Sequence, residues 1–127
     1  MKKKIITTLN APAPIGPYNQ AVLLDKTLYI SGQIPLIPNR MEILNSTIEE
    51  ETDLVMNNLK AILEAAQMTF KHVVKTSIFL SDMNNFGKVN DVYGRYFDND
   101  TAPARETIAV KALPKSVKVE ISMIAVK

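Results

Sequence analysis

Ala102-Pro103-Ala104-Arg105-Glu106-Thr107-Ile108-Ala109-Val110-Lys111-Ala112-Leu113-Pro114-Lys115-Ser116-Val117-Lys118-Val119-Glu120-Ile121-Ser122-Met123-Ile124-Ala125-Val126, the last quarter of the chain, reads as two strands. Ile108, Val110 and Ala112 alternate with polar or small residues in the first, and Val117, Val119, Ile121, Met123 and Ala125 alternate in the second, the period of two of half-buried strands. These two sets are expected to face the core. By the same parity Arg105, Thr107 and Ala109, with Lys118, Glu120 and Ser122, are expected to share the opposite face. That face mixes small residues with one guanidinium and one carboxylate, a composition that suits cover by another subunit or a ligand better than open water. Arg105 and Glu120 are therefore the first candidates for chemistry.

Working outward, 127 residues with 46% hydrophobic and 22% charged side chains correspond to one soluble globular domain, 1–127. A net charge of +2 is too small to draw the chain to nucleic acid or a membrane surface by long-range electrostatics. The absence of cysteine excludes disulfides, thiol catalysis and cysteine-ligated zinc, and agrees with a reducing compartment. Residues 5–9 are too short and polar for the apolar core of a signal peptide, and no run approaches the ~20 apolar residues of a membrane span. A cytoplasmic protein is expected.

In chain order, residues 5–9 suggest a short strand. Ala11-Pro12-Ala13-Pro14-Ile15-Gly16-Pro17-Tyr18 then makes a stiff, shaped loop that presents Tyr18 either to a pocket or to the sheet. Residues 21–24 and 28–31 read as a hairpin around Asp25-Lys26. Gly32, in Ser31-Gly32-Gln33-Ile34-Pro35, marks either a bulge or a close backbone approach. Residues 35–45 read as a loop. Thr47 and Glu50 form a capping-box signature for a helix over 48–67, with Ile48, Val55, Leu59, Ile62 and Ala66 on one stripe. The carboxylates at 49–53 suit the helix N-terminus and are not expected to hold a metal; His72, with no cysteine and no second histidine, is expected to be exposed. Val74, Ile78 and Leu80 alternate with Lys75, Ser77 and Phe79 in the next strand. Asp82 or Asn84 caps a second helix, where Phe86, Asn90, Tyr93 and Phe97 fall on one stripe. Asn90 within that stripe is expected to be buried and bonded either to backbone or to the occupant of a cleft. Gly87 and Gly94 suggest close packing. The elements define an α+β layer, two helices covering one face of a roughly six-stranded sheet and leaving Lys75, Ser77, Phe79, Arg105, Thr107, Glu120 and Ser122 on a face that oligomerisation would cover.

Pro14-Ile15-Gly16-Pro17-Tyr18, Ser31-Gly32-Gln33-Ile34-Pro35, Asn58-Leu59-Lys60-Ala61-Ile62-Leu63-Glu64-Ala65-Ala66, Pro103-Ala104-Arg105, Leu113-Pro114-Lys115 and Val119-Glu120-Ile121 together resemble the Rid family, also called YjgF-like or endoribonuclease L-PSP-like proteins. The resemblance implies a chorismate-mutase-like α+β fold with the strand at 73–80 beside the first of the two C-terminal strands, in place of the simple hairpin that adjacency suggests. It also implies a homotrimer with clefts between subunits and hydrolysis of reactive enamines and imines such as 2-aminoacrylate to 2-oxo acids and ammonia; no cofactor and no metal are expected. By the same resemblance Arg105 binds the substrate carboxylate, Glu120 positions or activates water, and Tyr18, Ser31, Gly32, Asn90 and the backbone of Thr107 line the cleft. Glu106-Thr107 departs from the common pattern of a small hydroxyl residue followed by cysteine, and the extra carboxylate is a potential partner for Arg105. Two other functions compete. A regulatory trimer that binds a carboxylate metabolite without turnover would use Arg105 but gain nothing from Glu120, and an endoribonuclease would need an acid-base pair and a basic track that one histidine and +2 do not supply.

Overall fold

The structure, a computed structural model, describes residues 2–127. Strands β1 (Lys3–Ile6), β2 (Ala21–Leu24) and β3 (Thr27–Gln33) lead into a small hairpin, β4 (Leu36–Ile37) with β5 (Glu42–Ile43), and then helix α1 (Ile48–Ala65). Strand β6 (Val73–Leu80), helix α2 (Phe86–Gly94), strand β7 (Ala104–Ala109) and strand β8 (Val119–Val126) complete the chain. Six strands form one sheet in the order β1-β2-β3-β8-β6-β7, antiparallel except for the parallel pair β6 and β7. The simple C-terminal hairpin does not form: β6 lies between β7 and β8, beside β7 as the resemblance implies. Residues 35–45 are not wholly a loop, because β4 and β5 pair there and a satellite cluster of Ile34, Leu36 and Val117 anchors them. The buried Asn58 of α1 ties this corner to the helix, its amide donating to the Leu36 carbonyl at 3.0 Å.

Both helices lie on one face of the sheet. The alternation in β8 is read correctly: Val119, Ile121, Met123 and Ala125 are buried against Val55, Leu59 and Ile62 of α1. Burying one such Leu or Ile side chain is worth roughly 1.5–3 kcal/mol, so this strand is the middle of the core. Thr47 caps α1, its hydroxyl accepting from the Glu50 N–H at 3.2 Å. The Glu50 carboxylate turns to the Ser46 hydroxyl at 3.0 Å, so the cap is not reciprocal.

Several expectations fail for local reasons. In β7, Ile108 is 46% exposed, whereas the register sets Arg105 opposite Thr76 and Thr107 opposite Ile78, whose side chains are buried under the helices. Residues in register share a face, so Arg105 and Thr107 lie on the helix-covered side and Ile108 on the open one. Val110 and Ala112 lie beyond the end of β7, with Ala112 exposed. The parity is inverted because β7 is an edge strand with no core on its apolar side. A register shift between Val73 and Lys75 turns Val74 out, 48% exposed, and makes Val73 the core residue. Lys118 precedes β8 and escapes its parity, reaching Glu51 of α1 at 3.6 Å. Gly87 and Gly94 face open space and are not close-packing residues. His72 is half-buried and caps a single turn, its Nδ1 accepting from the Thr69 N–H at 3.0 Å.

Candidate functional site

The site residues fall into two groups on opposite faces of the sheet. The first forms on the open face, where the stiff loop after β1 meets β3 and β8. Gln20, buried at the end of that loop, accepts from the Thr8 N–H at 2.8 Å and donates to the Thr8 and Pro12 carbonyls at 3.0 and 2.8 Å, pinning a segment whose prolines remove its own donors. The Ser31 hydroxyl donates to the Asn19 carbonyl at 2.6 Å, and the Tyr18 hydroxyl accepts from the Ile15 N–H at 3.3 Å. Tyr18 is thus held with its ring exposed, lining a cleft of about 330 Å³ with Ile15, Ser31, Gly32, Pro114 and Glu120.

Gly32 does both of the things its sequence position suggested. It sits in the bulge where the pairing of β3 with β8 shifts register, and a Cβ there would collide with Glu120 Oε2. The missing side chain is what lets the carboxylate lie against the backbone of β3. Glu120 forms no ion pair among the described residues, and burial pushes its carboxyl above the ordinary value.

The second group forms on the helix-covered face, at the edge under α2. The Arg105 guanidinium donates through Nη1 to Asn90 Oδ1 at 2.8 Å, and its Cζ lies 5.0 Å from the Tyr93 ring centroid and 5.8 Å from that of Phe86. These are cation–π distances, and all three partners come from one stripe of α2. Asn90 is exposed, contrary to expectation, and its bond is neither to backbone nor to an occupant but to the guanidinium. Thr107 turns its hydroxyl to the same side, without a hydrogen-bond partner among the described residues.

Glu106 does not compete for Arg105. It points to the open face, pairs with Lys75 Nζ at 2.9 Å and accepts from the Ser77 hydroxyl, and these two contacts hold its carboxyl below the ordinary value. Tyr18, Ser31, Gly32 and Glu120 therefore come together, and so do Asn90 and Arg105 with Thr107 beside them, but the two groups do not meet within one chain. Sequence reasoning missed Gln20, whose only signal is a polar residue at the start of an apolar strand, and gave Tyr93 no role beyond its place on the aromatic stripe. Among the described residues no three His, Asp or Glu side chains gather as a metal site would require. Among the described residues no helix is long and apolar enough to cross a membrane.

Two helices on one face of a mixed six-stranded sheet make the α+β fold that solved L-PSP and Rid proteins share. The family model described as Endoribonuclease L-PSP matches residues 8–127, and the chain belongs to that family, which takes in the Rid and RutC proteins. It is 47% identical over 125 residues to the 2-iminobutanoate/2-iminopropanoate deaminase of Mus musculus, covering 98% of this chain and 92% of that one. A RutC family protein of Synechocystis is 49% identical over 127 residues, covering 99% and 98%. Among solved structures, the Rid-family protein YyfA of Yersinia pestis superposes with a TM-score of 0.95 at 44% identity, over 99% of this chain and 100% of that one. Escherichia coli TdcF, solved with bound serine, superposes with a TM-score of 0.91 at 41% identity over 98% of both chains.

Proposed function

We propose that the chain is a hydrolytic deaminase of small 2-imino acids and their enamine tautomers, such as 2-iminobutanoate, 2-iminopropanoate and 2-aminoacrylate, releasing 2-oxo acid and ammonia. Its working site closes between copies of the chain in a homotrimer, one copy supplying Arg105 with Asn90 and Thr107, the next supplying Glu120 with Tyr18, Ser31 and Gly32. The observation that carries this reading is the free guanidinium fork and the free, desolvated carboxylate held on opposite faces of one sheet. Neither has an ionic partner among the described residues. The deaminase names of the mammalian relatives support the chemistry. Apolar residues on the open face support cover by a second copy: Ile5, Val22, Tyr29 and Ile124 follow one another across four strands in register, Ile5 41% and Tyr29 48% exposed and Val22 and Ile124 half-buried.

In this reading the N–H groups of Arg105 that Asn90 leaves free grip the substrate carboxylate in two parallel hydrogen bonds and fix the imine carbon. Water attacks that carbon while Glu120 takes one of its protons and passes it to the nitrogen, giving a carbinolamine. The hydroxyl proton then moves to the nitrogen, the C–N bond breaks, C=O forms and ammonia leaves. An enamine substrate first becomes the imine, its terminal carbon taking a proton from solvent and its nitrogen giving one up to solvent. A carboxyl pushed up by burial is a stronger base than an ordinary one, which suits it to this relay. A carboxylate-binding protein without turnover has no use for a second negative charge in the cleft. A ribonuclease reading finds no acid-base pair in either group, and His72 spends Nδ1 on a turn.

The test is to generate 2-iminobutanoate in situ with a threonine dehydratase and follow ammonia release. Catalytic amounts of protein should accelerate it, and release no faster than in buffer would overturn the reading.

A further inference from the structure

We infer that Tyr93 is a positioning residue for Arg105: its ring, locked from below by Thr76, sets the plane in which the guanidinium meets a carboxylate. The inference rests on the proposed role of Arg105 but is carried by separate geometry. Tyr93 is buried, and its hydroxyl donates to Thr76 Oγ1 at 3.0 Å. Thr76 is fully buried and is the β6 residue in register with Arg105. The backbone ladder, the Thr76 hydroxyl, the Tyr93 ring and the guanidinium thus form a closed circuit, with the ring centroid 5.0 Å from Arg105 Cζ.

A guanidinium on a long side chain carries considerable rotamer freedom and grips a carboxylate with both prongs only when its plane is fixed. Asn90 sets rotation within the plane through one N–H, at 2.8 Å. A flat ring against the guanidinium sets the tilt, and a cation–π contact on a partly desolvated face is strong enough to hold it. Phe86, 40% exposed and farther off at 5.8 Å, is the weaker outer contact. A tyrosine serving only as core would need a partner for its hydroxyl, but it would not need its ring beside a charge that the rest of the fold leaves unpaired.

Two measurements test this on Tyr93→Leu, on Tyr93→Phe, which keeps the ring, and on Thr76→Val, which keeps the packing volume. The first is the NMR order of the Arg105 Nε–H bond, which needs no substrate. It should be nearly as rigid as backbone in the parent protein, looser in Tyr93→Phe and Thr76→Val, which each break the bond that locks the ring, and disordered in Tyr93→Leu. The second is steady-state imine hydrolysis in the parent and Arg105→Lys backgrounds. Tyr93→Leu should raise KM about tenfold with little change in kcat in the parent, Tyr93→Phe should recover most of that loss, and in Arg105→Lys, which has no plane to orient, Tyr93→Leu should cost less than about twofold. An Arg105 Nε–H as ordered in Tyr93→Leu as in the parent overturns the inference, as does an equal loss in both backgrounds, which would mean that Tyr93 acts through the fold. Loss of order in Tyr93→Leu in a protein that hydrolyses no imine would leave the positioning standing and remove the deaminase reading.

Discussion

The two groups of candidate site residues are built on opposite plans. On the Arg105 side the charged group itself is gripped by the fold: Asn90 accepts one of its N–H groups at 2.8 Å, and the rings of Tyr93 and Phe86 lie 5.0 and 5.8 Å from Cζ. On the Glu120 side the scaffold is gripped and the functional group is not. Gln20 and Ser31 fasten the loop, Gly32 makes room, and the carboxylate itself has no hydrogen-bond or ionic partner among the described residues. A group that recognises charge gains from being preorganised, whereas a group that passes a proton must be able to change partners. Glu106 makes the contrast sharper. It adjoins Arg105 in sequence and faces the other way, with Ser77 on one carboxylate oxygen and Lys75 on the other.

If the free carboxylate does the chemistry and the satisfied one does not, Glu120→Gln should lower kcat/KM about 10²- to 10⁴-fold, the usual range for a general base. Glu106→Gln should change it less than about twofold, and steady-state ammonia release measures both. A larger loss from Glu106→Gln than from Glu120→Gln would break the comparison. The preorganised half should be less sensitive but still exacting. Arg105→Lys keeps the charge and loses the fork, so kcat/KM should fall about ten- to a hundredfold, and normal turnover in that variant would remove the case for two-pronged recognition.

The smallest effects are in stability, and they should have opposite signs. The Glu120 carboxyl is raised above its ordinary 4.5 on folding, so its contribution is complete below that pH and is lost as pH rises through the raised value. Glu120→Gln should therefore melt above wild type at neutral pH, with the difference closing in acid. The Glu106 carboxyl is lowered, so its contribution is present above the ordinary value and is lost as pH falls through the lowered one. Glu106→Gln should melt at or below wild type at neutral pH and converge with it in acid. Melting curves from pH 3.5 to 8 check both, and slopes of the same sign would mean that the two carboxylates are not held differently.

The sequence was most informative where a strand is buried between neighbours. β8 runs between β3 and β6 under α1, so its apolar parity coincides with the core. In β7 the same alternation exists and was read on the wrong side. Alternation separates two faces but does not say which is inward, and an edge strand whose apolar side lies on the open face inverts the usual answer. Asn90 stood out correctly as polar within an aromatic stripe, but the identity of its partner depended on knowing that Arg105 lies under α2. Tyr93 gave no signal of its own, because a tyrosine at helical spacing is most simply core. Gly32 was legible as punctuation. Its full role required the Glu120 carboxylate, which lies 88 positions away in the sequence and only across one strand pairing in space.

The central claim, that Arg105 and Glu120 act together from different copies of the chain, is tested most directly by mixing two inactive variants. Arg105→Ala and Glu120→Gln should each be nearly dead alone. After reversible dissociation and reassociation at equal amounts, a cleft shared between neighbouring copies is intact whenever the Arg105 donor and the Glu120 donor are both unmutated, which is about one cleft in four in a cyclic homo-oligomer with heterologous contacts. Imine hydrolysis should therefore return to about a quarter of the wild-type rate. A mixture that stays as inactive as its components, with sedimentation showing that mixed oligomers have formed, would contradict the account.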